Sequence, residues 1–88
     1  MTLINPELRY RVTPDGAMIL DIAEDQIVTL NATGGYIWAR LGEGKTTDEI
    51  VALLAIQSAQ DPVVVANDVR EFLEQLTAKK LITLQQAI

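Results

Sequence analysis

The sequence predicts an α+β domain in which a three-stranded antiparallel sheet is followed by three helices. Three observations carry that expectation. Between Leu8 and Leu30 apolar residues recur at every second position, the period of a strand with one covered face. After Leu30 they recur at the three- and four-residue spacing of a helix. Turn and cap residues fall where they divide the first stretch into three strands and the second into three helices.

The strands read as Leu8, Tyr10 and Val12, then Met18, Leu20 and Ile22, then Val28 and Leu30, each set expected on the covered face. Thr13-Pro14-Asp15-Gly16 supplies Pro, Asp and Gly in the order a tight turn uses them, and Ala23-Glu24-Asp25 separates the second run from the third. A meander follows, with Arg9, Arg11 and Ile27 directed away from the covered set. Asn31 or Thr33 caps the first helix, which places Ile37, Trp38 and Leu41 on one face before Gly42 and Gly44 end it. Thr46 and Glu49 fit a capping box ahead of Ile50, Leu53 and Leu54. Asp61-Pro62 pairs a cap with a proline at the first helical position, opening a third helix that reaches Lys79 or Lys80. Its apolar arc is Val65, Ala66, Val69, Phe72, Leu73 and Leu76, with Asp68, Glu71 and Glu74 outside it. Val65 and Phe72 stand at the edge nearest Asp68 and Gln75, where an apolar shoulder stays partly open. Leu81 to Leu84 reads as a short terminal strand or a packed tail.

With 88 residues, 49% of them apolar, residues 1–88 are expected to form a single domain, since two cores of half that size would bury too little surface. There is no cysteine and no histidine, so disulfides, thiol nucleophiles, imidazole acid–base chemistry and the usual zinc ligands are excluded. Ser58, the sole serine, has no histidine to take its proton. Glu24 with Asp25, and Asp48 with Glu49, sit where a turn and a helix cap account for them. Gly34-Gly35 lacks the Lys-Ser/Thr ending of a phosphate loop and reads instead as a close approach of helix to strand. No enzyme activity, cofactor or metal is expected. The N-terminal residues lack the charged and apolar regions of a signal peptide, and no apolar run has the roughly 20 residues needed to cross a bilayer. The expected location is the cytoplasm, with no membrane partner.

Three helices beside a small sheet form a winged-helix-like arrangement, so nucleic-acid binding has to be weighed. Charge opposes it. Twelve acidic against seven basic residues give a net charge of −5, and from Asp61 to Glu74 four carboxylates face Arg70 alone. The alternative reading is therefore a winged-helix regulator that binds a protein partner or DNA.

The run Leu30-Asn31-Ala32-Thr33-Gly34-Gly35-Tyr36-Ile37-Trp38, with Leu41, Thr47-Asp48-Glu49-Ile50, Asp68-Val69 and then Phe72, Leu73 and Leu76, resembles the PqqD-like family. These small domains, also called precursor-peptide (RiPP) recognition elements, bind the leader segments of ribosomally made, later modified peptides. The resemblance covers the chain from about the first strand to Leu84 and departs at Lys80, where many relatives have glycine. It implies a winged-helix-like fold with the leader added beside the third strand and lodged against the third helix. It also implies a non-catalytic peptide chaperone that delivers the leader to a leader peptidase or other modifying enzyme. The strength of the Asn-x-Thr-Gly run favours the standalone proteins of lasso-peptide biosynthesis over the chaperones that serve radical SAM enzymes, as in the pyrroloquinoline quinone pathway.

Physical reasoning supports that mechanism. The last strand of a meander has one neighbour, so its other edge offers unpaired N–H and C=O groups to an extended peptide. Edge pairing is assigned to the backbone of Gln26, Ile27, Val28 and Thr29, and pocket contacts to Val65, Asp68, Val69 and Phe72. A monomer is expected, although an open edge also permits a strand-paired or swapped dimer.

Overall fold

The chain from Arg9 to Leu30 forms the expected meander, in a computed structural model that describes residues 2–84. In chain order the elements are β1 (Thr2–Ile4), β2 (Arg9–Thr13), β3 (Gly16–Asp21), β4 (Gln26–Leu30), α1 (Ala32–Gly42), α2 (Thr47–Ser58), α3 (Pro62–Ala78) and β5 (Ile82–Leu84). Strands β2, β3 and β4 make one antiparallel sheet in that order, and β1 pairs with β5 in a second. The α+β class and the order of sheet and helices agree with the sequence reading. The β1–β5 ribbon adds β1 to it: Ile82–Leu84 form the short terminal strand that Leu81 to Leu84 offered, and its partner Thr2–Ile4, too short to show a period, is a strand through the pairing of Thr2 with Leu84, Leu3 with Thr83 and Ile4 with Ile82.

The helix starts form as their sequences dictate. Asn31 Oδ1 accepts the Gly34 N–H at 2.8 Å, which identifies Asn31 rather than Thr33 as the first cap. Thr46 and Glu49 close a reciprocal capping box at 3.0 and 3.1 Å, and the backbone N–H of Thr46, followed by its hydroxyl, holds the Glu49 carboxyl below the usual glutamate range. Asp61 accepts from Val63 N at 2.9 Å, with Pro62 in the first turn. At the end of α3, Lys80 takes a left-handed conformation (φ 62°), and the Leu81 N–H turns back to the Leu76 carbonyl at 3.0 Å. Lys80 thus closes the helix in a conformation that glycine adopts more readily.

The core joins Ile19 and Val28 of the sheet to Ile37, Trp38 and Leu41 of α1, Ile50 of α2, and Val65, Val69, Leu73 and Leu76 of α3. Trp38 is fully buried and meets Tyr10 edge-on, ring centroids 5.3 Å apart. Gly35 brings α1 directly onto the first turn of the meander: a Cβ there would lie 2.6 Å from the Gly16 carbonyl carbon. Leu53, expected in the core, is half-exposed, while Ala55 is buried in its stead.

One strand has the opposite phase to the one expected. In β3 the covered residues are Ala17, Ile19 and Asp21, and Met18, Leu20 and Ile22 are exposed. The register explains the reversal, because Tyr10 and Val12 oppose Ile19 and Ala17, which in turn oppose Val28 and Leu30. The covered face carries a small residue and a buried aspartate, whereas the open face carries three large aliphatic ones. The apolar alternation therefore has its stronger amplitude on the wrong side, and a one-residue change of phase moves every side chain. For β4 the expected faces hold, with Ile27 67% exposed and Val28 8%, whereas all five residues of β2 are exposed, Tyr10 and Val12 included.

Candidate functional site

Hydrogen-bond parity along the meander decides which backbone groups of β4 are free. In an antiparallel pair, opposed residues alternate between those that exchange both backbone bonds and those that exchange none. The two-residue loop Pro14-Asp15 closes on the Thr13–Gly16 pair, which must be an exchanging one. Counting along β3, Met18 and Leu20 then exchange with Arg11 and Arg9, which leaves Ala17, Ile19 and Asp21 to exchange with Leu30, Val28 and Gln26. The N–H and C=O groups of Ile27 and Thr29 consequently point outward, to an edge that no strand occupies among the described residues. This corrects the sequence assignment: the backbone groups of Gln26 and Val28 are turned inward to β3. Strand β5, the nearest candidate to seal the edge from within, is paired with β1 instead.

Beside that edge lies a cavity of about 420 Å³. Thr29 and Leu30 of β4, the start of α1 at Thr33, Gly34 and Ile37, the end of α2 at Leu54 and Ser58, and Val65, Asp68, Phe72 and Gln75 of α3 line it. Its floor is apolar. Gly34 leaves the room that the Phe72 ring occupies, since a Cβ there would meet that ring at 3.2 Å. Asp68 supplies the one charged group of the lining, among hydroxyls and amides. Acyl-transfer or metal chemistry has no visible footing: Ser58 Oγ donates to the Leu54 carbonyl at 2.7 Å, and no three acidic side chains gather as metal ligands among the described residues.

Of the eight residues singled out from sequence, Thr29, Val65, Asp68 and Phe72 come together at this cavity. Val69 is fully buried beneath it and belongs to the core. Ile27 reaches the same edge through its backbone but carries its side chain on the outer face of the sheet. Gln26 does something the sequence did not disclose. Its amide donates to Asp21 Oδ2 at 3.3 Å and to the Lys79 carbonyl at 3.0 Å, tying the start of β4 to the end of α3. The contributions of α1 and α2 were also missed, because walls formed by helix ends leave no periodic signal.

A second groove, of about 260 Å³, runs along the opposite flank of α3 between Thr47, Asp48, Val51, Ala66, Arg70, Leu73 and Glu74. It has no strand edge beside it, so an extended peptide would find side chains there but no backbone ladder.

Residues 16–82 match the family model described as coenzyme PQQ synthesis protein D (PqqD). The chain is also similar to a solved structure, "TbiB1 in Complex with the TbiA(beta) Leader Peptide", with a TM-score of 0.89 and 28% sequence identity over 97% of this chain and 99% of that one. No curated protein matches the sequence.

Proposed function

Since the chain belongs to the PqqD family, we propose that it binds the leader segment of a ribosomally synthesised precursor peptide as an added strand on the outer edge of β4. It performs no chemistry on the peptide and delivers it to a leader peptidase or other modifying enzyme in the cytoplasm. The observation that carries this reading is the unpaired edge at Ile27 and Thr29 beside the cavity against α3. The likeness to a protein solved with a leader peptide bound supports it.

The two halves of the site do different work. Backbone exchange with Ile27 and Thr29 is available to any extended peptide and gives affinity without selection. In an added antiparallel strand, the residues opposite Val28 and Leu30 turn their side chains to the covered face and into the cavity. Selection therefore falls on alternate leader residues, which meet the apolar floor of Leu30, Val65 and Phe72 and the carboxylate of Asp68. A lasso-peptide precursor is the favoured client, on the Leu30–Trp38 run. Service to a radical SAM enzyme is the second reading, favoured by the description of the matching family model. The identity of the enzyme encoded beside the precursor gene separates the two.

Calorimetric titration with the leader of the neighbouring precursor tests the proposal. Thr29→Pro removes one outward donor, which an edge strand tolerates, and is expected to weaken binding about tenfold with an unchanged Tm. Val28→Pro removes a bond to β3 and is expected to lower the Tm by several degrees. Equal leader affinity for Thr29→Pro and the parent protein overturns edge pairing. Phe72→Ala takes away the largest apolar surface of the cavity and is expected to cost about 2 kcal/mol of binding, roughly thirtyfold in Kd. A folded Phe72→Ala protein with parental affinity removes α3 from the site.

A further inference from the structure

We infer that the outer face of the three-stranded sheet is a second docking surface, one that receives a protein with an apolar patch bordered by carboxylates. The inference rests on the leader-binding reading for the partner's identity, the enzyme that acts on the bound peptide, but its observations are separate from the cleft. Met18 is 57% exposed, Leu20 38%, Ile22 64% and Ile27 67%, and the β3 and β4 registers place Leu20 directly opposite Ile27. Arg9 opposes Leu20 and Arg11 opposes Met18 on the same face. An aliphatic cluster flanked by two guanidinium groups thus covers the side of the sheet that faces away from the helices.

Its charge is what specifies the partner. In a chain of net charge −5, this face carries two arginines, and the nearby acidic residues, Asp15, Glu24 and Asp25, lie in the turns at its ends. Among the described residues neither Arg9 nor Arg11 forms a salt bridge; the two ion pairs present are Arg40–Glu43 and Lys80–Glu24. A second copy of the chain is a poor occupant, because two such faces brought together oppose arginine to arginine, and the nearest carboxylates stand only in the turns at the ends. A nucleic acid would satisfy the arginines but leave the aliphatic cluster against phosphates. For an anionic membrane, two arginines contribute little against the repulsion of an acidic chain. A carboxylate-rimmed apolar surface satisfies both components, and exposed patches of this kind are where soluble domains meet partners.

The test measures two affinities on the same proteins, for the leader peptide and for the processing enzyme encoded beside the precursor gene. The variants are the double charge reversal Arg9→Glu/Arg11→Glu and, separately, Met18→Ser. Both leave the β4 edge and the cavity untouched. The charge reversal is expected to weaken enzyme binding at least tenfold and flatten its salt dependence, and Met18→Ser to weaken it several-fold, with leader affinity and Tm unchanged. Parental enzyme affinity in both variants overturns the inference. So does self-association of the parent protein that the charge reversal abolishes, which assigns the face to a second copy. Sedimentation of the parent with phosphatidylglycerol vesicles, lost in the charge reversal, assigns it to a membrane and likewise overturns the inference. Failure of the parent to bind the leader, with enzyme binding still sensitive to Arg9 and Arg11, refutes the leader reading and leaves this surface standing.

Discussion

Trp38→Ala is expected to destabilise the domain by about 3–5 kcal/mol, the range for emptying a buried tryptophan site, and to lower the Tm by roughly 15 °C or more in a domain of this size. The side chain has no exposed surface, and it meets Tyr10 of β2 from α1, so its loss detaches the helix from the sheet as well as opening a cavity. Trp38→Phe is the informative partner variant. The indole Nε1 is buried and has no hydrogen-bond partner among the described residues. Removing it relieves an unsatisfied donor and offsets part of the lost volume. Thermal unfolding is expected to show Trp38→Phe much closer to the parent than Trp38→Ala. Equal losses for the two would mean that the indole N–H has a partner, such as an ordered water.

Gly35→Ala is expected to cost about 2 kcal/mol or more, despite alanine's advantage of about 1 kcal/mol over glycine inside a helix. The added methyl would lie 2.6–2.8 Å from three backbone atoms of Gly16, which cannot rotate away as a side chain can. Either α1 or the Thr13–Gly16 turn must move. Because α1 also walls the cavity through Gly34 and Ile37, the same substitution is expected to weaken leader binding. An equal or raised Tm in thermal unfolding would show that this contact is looser than the geometry requires.

Both residues were visible in the sequence as signals of packing, and the reason separates what was legible from what was not. Caps depend on a residue and its neighbours within four positions, so Asn31, Thr46 with Glu49, and Asp61-Pro62 marked the three helix starts. The face of a strand depends on partners elsewhere. For β3 the stronger apolar alternation lay with Met18, Leu20 and Ile22, yet the helices cover Ala17, Ile19 and Asp21, because the two-residue turn sets Tyr10 opposite Ile19. Of the β1–β5 ribbon only the β5 half, offered by Leu81 to Leu84, was legible, whereas β1 left no local trace.

The site divides in the same way. The third-helix residues Val65, Asp68 and Phe72 were legible from the helical wheel, since they lie on one flank of a single element. The edge was legible only to within a strand. Choosing Ile27 and Thr29 over Gln26 and Val28 requires the parity of a ladder that starts at Thr13 and Gly16, information spread over three strands. Gln26, chosen as an edge residue, proves to be the tie between β4 and the Lys79 carbonyl.

Amide hydrogen exchange, followed residue by residue with and without the leader peptide, tests the account most directly. In the free protein the Ile27 and Thr29 amides are expected to exchange rapidly and the Val28 amide slowly, since only the last is bonded within the sheet. Saturating leader is expected to slow Ile27 and Thr29 by an order of magnitude or more while Val28 keeps the protection it already had. Bound leader with Ile27 and Thr29 exchanging as fast as before would show that the peptide rests elsewhere on the molecule.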